Sequence, residues 1–134
     1  MYRDHLSEGI EGSNGQALSS DLRQTVAGPF VAYRGARLEV QAEYLRIWND
    51  PDGRAASKMD AADFYTGVRF GELVPYGRYD VIEYPAQDPY FRTDDIRQAV
   101  FGLRYDLAAA AVLKGEARWI DEGAAATVTQ FVVQ

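Results

Sequence analysis

Stretches of eight to twelve residues alternate apolar and polar side chains along most of this chain. Between Leu38 and Trp48 the apolar side chains fall on one side, and the other side carries Glu39, Gln41 and Glu43. This period of two is typical of a strand that is buried on one face, and it is not the period of a helix. The same pattern recurs in Phe64–Phe70, Pro75–Tyr84, Ala99–Leu107 and Leu113–Trp119.

Two further segments are less regular, and a third is short. Thr25–Tyr33 contains Pro29, which cannot donate to a ladder and therefore indicates a bulge or a sheet edge. Ala125–Gln134 is mildly amphipathic, and Met1–Leu6 has the character of the end of an eighth strand. The pattern therefore predicts seven or eight strands.

The connections between these segments alternate between long and short. Sorting of long loops to one end and tight turns to the other is typical of outer-membrane barrels. The long links are Ser7–Leu22, Asn49–Ala62 and Pro85–Asp95; the short ones are Arg34–Ala36, Gly71–Val74 and Ala108–Ala111, followed by a modest Asp121–Ala124.

We therefore expect an all-β fold, an antiparallel up-and-down transmembrane β-barrel meander of 7–8 strands. Residues 1–134 form either a single barrel or the C-terminal part of a larger one, with residues 1–24 giving a partial strand and a long loop. Bacterial single-chain barrels use even strand numbers, and several segments have the 9–11 residues that a tilted strand needs to cross a bilayer.

Large aromatic residues lie toward the strand ends on the apolar side, with small residues between them. Aromatic rings favour the headgroup level of a membrane, so this spacing predicts an aromatic girdle. The predicted girdle consists of Tyr44, Trp48, Phe64, Phe70, Tyr105 and Trp119.

The polar sides of the strands carry mixed charges that would face the lumen of a barrel. Neighbouring strands could pair Arg78 or Asp80 with Arg104 and Asp106. Such charges either set the ion preference of a pore or pair with one another and plug a narrow barrel. The predicted pore-lining residues are Glu39, Gln41, Glu43, Arg69, Arg78, Asp80, Arg104, Asp106, Lys114, Glu116 and Arg118.

Composition removes several classes of function. The net charge is −6 and the pI is about 4.7, so we expect no nucleic-acid partner. There is no cysteine, and His5 is the only histidine, so no disulfide, thiolate zinc site or metal-spaced cluster is expected. No catalytic motif appears. We therefore expect neither an enzyme nor a cofactor. No apolar run approaches a transmembrane helix, and no signal peptide follows Met1.

Three stretches resemble the Gram-negative outer-membrane porins, in particular the phosphate-selective-porin-like group and its C-terminal portion. Val100-Phe-Gly-Leu-Arg-Tyr-Asp-Leu107 followed by Leu113-Lys-Gly-Glu-Ala-Arg-Trp119 resembles the penultimate hairpin, as does Val74-Pro-Tyr-Gly-Arg-Tyr-Asp80. Thr129-Gln-Phe-Val-Val133 resembles the final strand, although porins usually end on an aromatic residue and this chain ends on Gln134.

The resemblance implies an outer-membrane porin, or a fragment of one, that lets small hydrophilic solutes or ions diffuse through a charged lumen. Its expected partners are outer-membrane lipid and lipopolysaccharide, and a full porin of this kind would form a homotrimer. Two alternatives stay open: a soluble small-ligand-binding β-barrel of fatty-acid-binding or lipocalin type, and a structural eight-strand barrel that anchors the envelope.

Overall fold

The computed structural model describes residues 1–12, 15–85, 88, 94–108, 111–122 and 128–133. These residues form one antiparallel sheet and no helix, which confirms the all-β prediction. No helix in the described part of the chain is long and apolar enough to cross a membrane. The strands are β1 (Tyr2–Leu6), β2 (Leu22–Ala27), β3 (Phe30–Arg34), β4 (Leu38–Pro51), β5 (Ser57–Val68), β6 (Leu73–Glu83), β7 (Ile96–Ala108), β8 (Ala111–Asp121) and β9 (Val128–Val133).

The segments β2 and β3 follow one another along the same side of β4 and together take the place of one strand in the sheet. Both pair with β4 in a single continuous register, from Leu22 opposite Pro51 to Arg34 opposite Glu39. The ladder is interrupted at Pro29, which lacks an N–H but still accepts a hydrogen bond from the Tyr44 N–H. Because the register does not shift, Pro29 marks a gap in the ladder, and a bulge is absent. The other predicted possibility, a sheet edge, is confirmed, since β1 pairs only with β2 and β3 has β4 as its one strand partner among the described residues.

Gly28 precedes this gap and is held against the backbone of β4. A Cβ atom at Gly28 would lie 1.7 Å from the carbonyl oxygen of Tyr44, a distance that no side chain can occupy. A glycine is therefore required where the two halves of the strand meet.

The nine segments occupy eight positions in a simple meander, in the order β1, β2 with β3, then β4 to β9. The predicted eighth strand at Met1–Leu6 is present as β1. One predicted link is wrong, because β4 continues to Pro51 and β5 begins at Ser57, which leaves only residues 52–56 in place of Asn49–Ala62. Much of Pro85–Asp95, the Ala108–Ala111 turn and the Asp121–Ala124 link lies outside the described residues.

The sheet is not closed into a barrel. Among the described residues β1 pairs only with β2, and β9 pairs only with β8. The meander and its strand number therefore agree with the prediction, whereas a closed barrel is not present in this single chain.

The two faces of the sheet differ in burial. We call the face that carries Glu39 and Arg104 the front face, and the face that carries Phe101 and Leu103 the back face. Glu39 is only 6% exposed and Val100 on the front face is 2% exposed, whereas Phe101 is 63% exposed. The front face is thus covered by its own long side chains, while the apolar back face is open.

Candidate functional site

The register places every predicted pore-lining residue on the front face. Successive residues of a strand point to opposite faces, and the cross-strand pairs Glu39–Gly67, Gly67–Tyr76, Tyr76–Gly102 and Gly102–Glu116 connect the front-face positions from β4 to β8. Each remaining predicted residue lies an even number of positions along the chain from one of these front-face residues. The alternation in the sequence was therefore sufficient to assign all of them to one face.

Glu39 is the centre of an ionic cluster on the front face. Its Oε1 atom lies 2.7 Å from Arg69 Nη2 and 3.2 Å from Arg34 Nε. Arg104 binds both carboxylate oxygens, at 3.0 and 3.1 Å, and the Tyr65 hydroxyl donates to Oε2 at 3.2 Å. A carboxylate that is this buried keeps its charge only because it is paired and hydrogen-bonded.

Asp106 completes the cluster by accepting from the same two arginines. Arg69 Nη1 lies 2.9 Å from Asp106 Oδ2, and Arg104 Nε lies 2.7 Å from Asp106 Oδ1. Two guanidinium groups and two carboxylates thus alternate across strands β4 to β7, with Arg34 at the margin. The cluster borders a cavity of about 500 Å³ that Lys114 also lines.

The predicted pairing of Arg78 or Asp80 with Arg104 and Asp106 is wrong. The register sets Arg78 opposite Val100 and Asp80 opposite Gln98, which lie four and six residues away from Arg104 on β7. Arg78 binds Asp80 on its own strand at 3.0 Å, and Gln98 donates to Asp80 at 2.7 Å. Alternation in the sequence shows which face of the sheet a side chain occupies, but it does not show which residue of the neighbouring strand lies opposite.

Two glycines on the front face make room for two tyrosines. Tyr76 lies directly opposite Gly102, and its ring passes over that residue so that its hydroxyl donates to Glu116 on β8. Tyr65 covers Gly67 in a similar way, and the two tyrosine rings lie 5.5 Å apart. Aromatic cover over a glycine pins the local register and extends the polar network from β4 to β8.

Replacing Gly102 by alanine is expected to destabilise the fold by about 1–3 kcal/mol. The new Cβ would lie 2.3 Å from Cζ of Tyr76, so the ring must move and Glu116 loses its donor. Urea unfolding measures the loss. Gly115→Ala is the matched control, since nothing lies within 4 Å of its added Cβ; equal midpoints for the two variants would contradict the contact.

The back face carries an uncharged band of constant length. On each of four strands five consecutive back-face positions are uncharged, over residues 62–70, 73–81, 99–107 and 111–119. On the side of the longer connections between strands, the next back-face residue of each strand is charged. These four residues are Asp60, Glu83, Arg97 and Asp121. Nine residues per strand is the length that a tilted strand needs to cross a hydrocarbon layer.

All six predicted girdle residues lie on the back face, and most lie at the margins of this band. Phe70 and Tyr105 lie at the margin nearest the tight turns, whereas Tyr44 lies at the opposite margin. Successive cross-strand pairs connect Phe64 with Trp119, so the two side chains lie at the same level along the strands, close to the level of Tyr44. Trp48 lies beyond the band.

The polarity of both faces inverts beyond the band. There the front face becomes apolar, with Leu45 opposite Ala61 and Ile47 opposite Met59. Between these two pairs, the back face carries the cross-strand pair Arg46 and Asp60. Leu45 and Ala61 border a cavity of about 380 Å³ whose lining also includes the carboxylates of Glu43, Asp63 and Asp80. The other apolar front-face residues at this end are Ile82 and Ile96. The two faces therefore exchange their apolar and charged character at the end of the band.

Arg46 and Asp60 form the most complete back-face ion pair outside the band. Arg46 Nε lies 2.7 Å from Asp60 Oδ1, and the Tyr44 hydroxyl donates to the same carboxylate. Hydrogen bonds from Arg46, and then from Tyr44, lower the pKa of the Asp60 carboxyl. This part of the back face is therefore adapted to contact with water and charged groups.

Sequence reasoning missed a buried polar group at the same end of the front face. Asn49, which is 1% exposed, donates to Asp88 at 2.9 Å, and Ser57 donates to the same carboxylate. Gln24 in turn donates to Asn49 at 3.0 Å. The only signal in the sequence was that polar residues interrupt the apolar ends of two strands.

Comparison with protein-family models, with curated proteins and with solved structures found no match to this chain.

Proposed function

We propose that this chain forms all or part of a transmembrane β-barrel in the outer membrane, and that its front face lines a charged lumen through which small hydrophilic solutes or ions diffuse. The observation that carries the proposal is the polarity inversion. Where the back face is uncharged the front face is ionic, as expected between lipid and a watery lumen. Where the back face becomes charged, the front face becomes apolar.

Surface area supports the same proposal. A compact protein of this mass exposes about 7,000 Å², whereas this chain exposes 8656 Å². Only five hydrophobic side chains are buried in the described residues, while a long series of large apolar side chains is exposed. An apolar surface of this extent calls for a cover of lipid or protein.

The proposal requires that the open edges be paired in the membrane. Unpaired backbone groups in hydrocarbon cost several kcal/mol each, so only closed sheets span bilayers. Strands β1 and β9 run antiparallel in an eight-position meander, so each can pair with the other or with further strands of a larger barrel. A narrow eight-strand closure would fill the lumen with side chains, and a wider one would leave a channel.

The alternative of a soluble ligand-binding barrel needs the apolar back face to turn inward. Its pocket would enclose Leu103 and Leu107, which are 47% and 62% exposed, and would turn Glu39 with its arginines outward. Because Glu39 is among the most buried residues of the chain, the geometry favours the membrane proposal.

The two tryptophans provide the test, because both lie on the back face at different levels. In lipid vesicles, Trp119 in a Trp48→Phe variant should be quenched by lipids brominated on their acyl chains. Trp48 in a Trp119→Phe variant should instead be quenched by aqueous acrylamide. Heat-dependent gel mobility and leakage of small solutes from the same vesicles complete the measurement.

Each result bears on a defined part of the proposal. A chain that stays monomeric in plain buffer, with both tryptophans equally open to acrylamide, would refute the membrane barrel. Insertion with the expected quenching but without solute leakage would refute the channel and favour a structural barrel.

A further inference from the structure

A second cavity lies on the back face, beyond the uncharged band. It has a volume of about 500 Å³, and Arg3, Arg23, Thr25 and Trp48 line it. Arg3 lies opposite Thr25, which lies opposite Trp48, so these three side chains share one cross-strand level. Arg23 is the next back-face residue along β2.

The cavity has more positive than negative charge. Arg3 has no ion-pair partner within the part of the chain that the structure describes. Arg23 makes one long contact, 3.7 Å from Asp50, the only carboxylate among the described residues that line the cavity. Lys58 on β5 lies directly opposite Trp48 and places a third cation beside that residue. An arginine guanidinium group that has no carboxylate partner can bind a phosphate group through two hydrogen bonds.

The level of the cavity fits a lipid headgroup. Trp48 lies two back-face positions beyond Tyr44, the last uncharged back-face residue of β4 before Arg46. In a barrel whose band spans the hydrocarbon layer, that position lies at the level of headgroup phosphates, and tryptophan is a residue of this interface.

We propose that this cavity binds the phosphate group of an anionic lipid of the membrane, with Arg3 as the main contact, Arg23 as the second cation and Trp48 against the adjoining apolar part of the lipid. The inference rests on the proposed membrane barrel, because it needs the band to define where the headgroups lie. Free inorganic phosphate has the same chemistry but no apolar part to engage Trp48, so the lipid is the favoured source.

Binding is measured with the complete chain in phosphatidylcholine vesicles that contain diphosphorylated lipid A, or the same lipid without phosphates. Trp48 fluorescence in a Trp119→Phe background reports occupancy. Arg3→Gln should weaken the response to diphosphorylated lipid A about tenfold, the loss expected for one charge-assisted phosphate contact. The matched control is Arg37→Gln, which removes a cation without an ion-pair partner among the described residues at the opposite end of the strands; it should change the response less than twofold.

The outcomes separate this inference from the proposal on which it rests. If Trp119 is quenched from the bilayer but Arg3→Gln binds diphosphorylated lipid A as well as the parent does, the lipid site is refuted and the barrel stands. Saturation of the Trp48 response by inorganic phosphate at the same concentration would refute the lipid as the ligand. If Trp119 is not quenched from the bilayer, both proposals are wrong.

Discussion

Phe101→Arg is expected to destabilise the membrane-inserted protein by about 2–4 kcal/mol, the penalty for an arginine on the lipid face at mid-depth. Phe101 is the second of the five back-face positions in the uncharged stretch 99–107. It lies opposite Gly77, the middle position of the neighbouring stretch 73–81, and is 63% exposed in the isolated chain. In water, a change at so exposed a side chain would alter stability by no more than about 0.5 kcal/mol. A large loss therefore requires that something apolar covers Phe101, and urea unfolding from lipid vesicles measures it.

Two variants isolate the contribution of depth. Phe70→Arg changes the same residue type at nearly the same exposure, 64%, but at the margin of the band, where the expected loss is about 0–1 kcal/mol. Phe101→Ala removes the edge-on contact between the Phe101 ring and Trp119, whose centroids lie 5.7 Å apart, without adding charge. Equal losses for arginine at positions 101 and 70 would contradict a hydrocarbon layer that covers Phe101 more deeply than Phe70.

The sequence was sufficient to predict the strands and their faces, because both depend on local periodicity. Alternation assigned Glu39 and Arg104 to one face and Leu38 and Phe101 to the other, and the register agrees. Strand lengths were predicted less well, since the polar residues near Asn49 resemble a loop in sequence. In the structure they lie on the ladder, where Asn49 is buried by its hydrogen bonds.

Features that depend on the relative level of two strands could not be predicted from the sequence. The Glu39 cluster joins residues up to 65 positions apart, and a two-residue change of register would move Arg104 out of reach. The polarity inversion has the same origin. Each strand alone shows only that its alternation weakens toward one end. The register is needed to show that Asp60 and Glu83 lie opposite each other, and that Arg97 and Asp121 end the band within one back-face position of them.

Glu39→Gln is expected to destabilise the protein by about 3 kcal/mol. The substitution preserves shape but removes the negative charge that holds Arg34, Arg69 and Arg104 together. It leaves the largely buried charges of Arg69 and Arg104 with Asp106 as their remaining carboxylate partner. Removing one partner of a buried ion pair costs about 3–5 kcal/mol. We expect the lower value because Asp106 still binds two of the arginines.

Glu43→Gln is the matched control, since Glu43 lies on the same strand and face, is exposed, and takes part in none of the ion pairs found in the described residues. Its loss should stay within about 0.5 kcal/mol. Urea unfolding of both variants in the same detergent micelles gives the comparison. The difference between them measures what burial and pairing add to a front-face carboxylate. If Glu39→Gln and Glu43→Gln were equally stable, the front-face charges would be independent solvated groups and the cluster would not order this face.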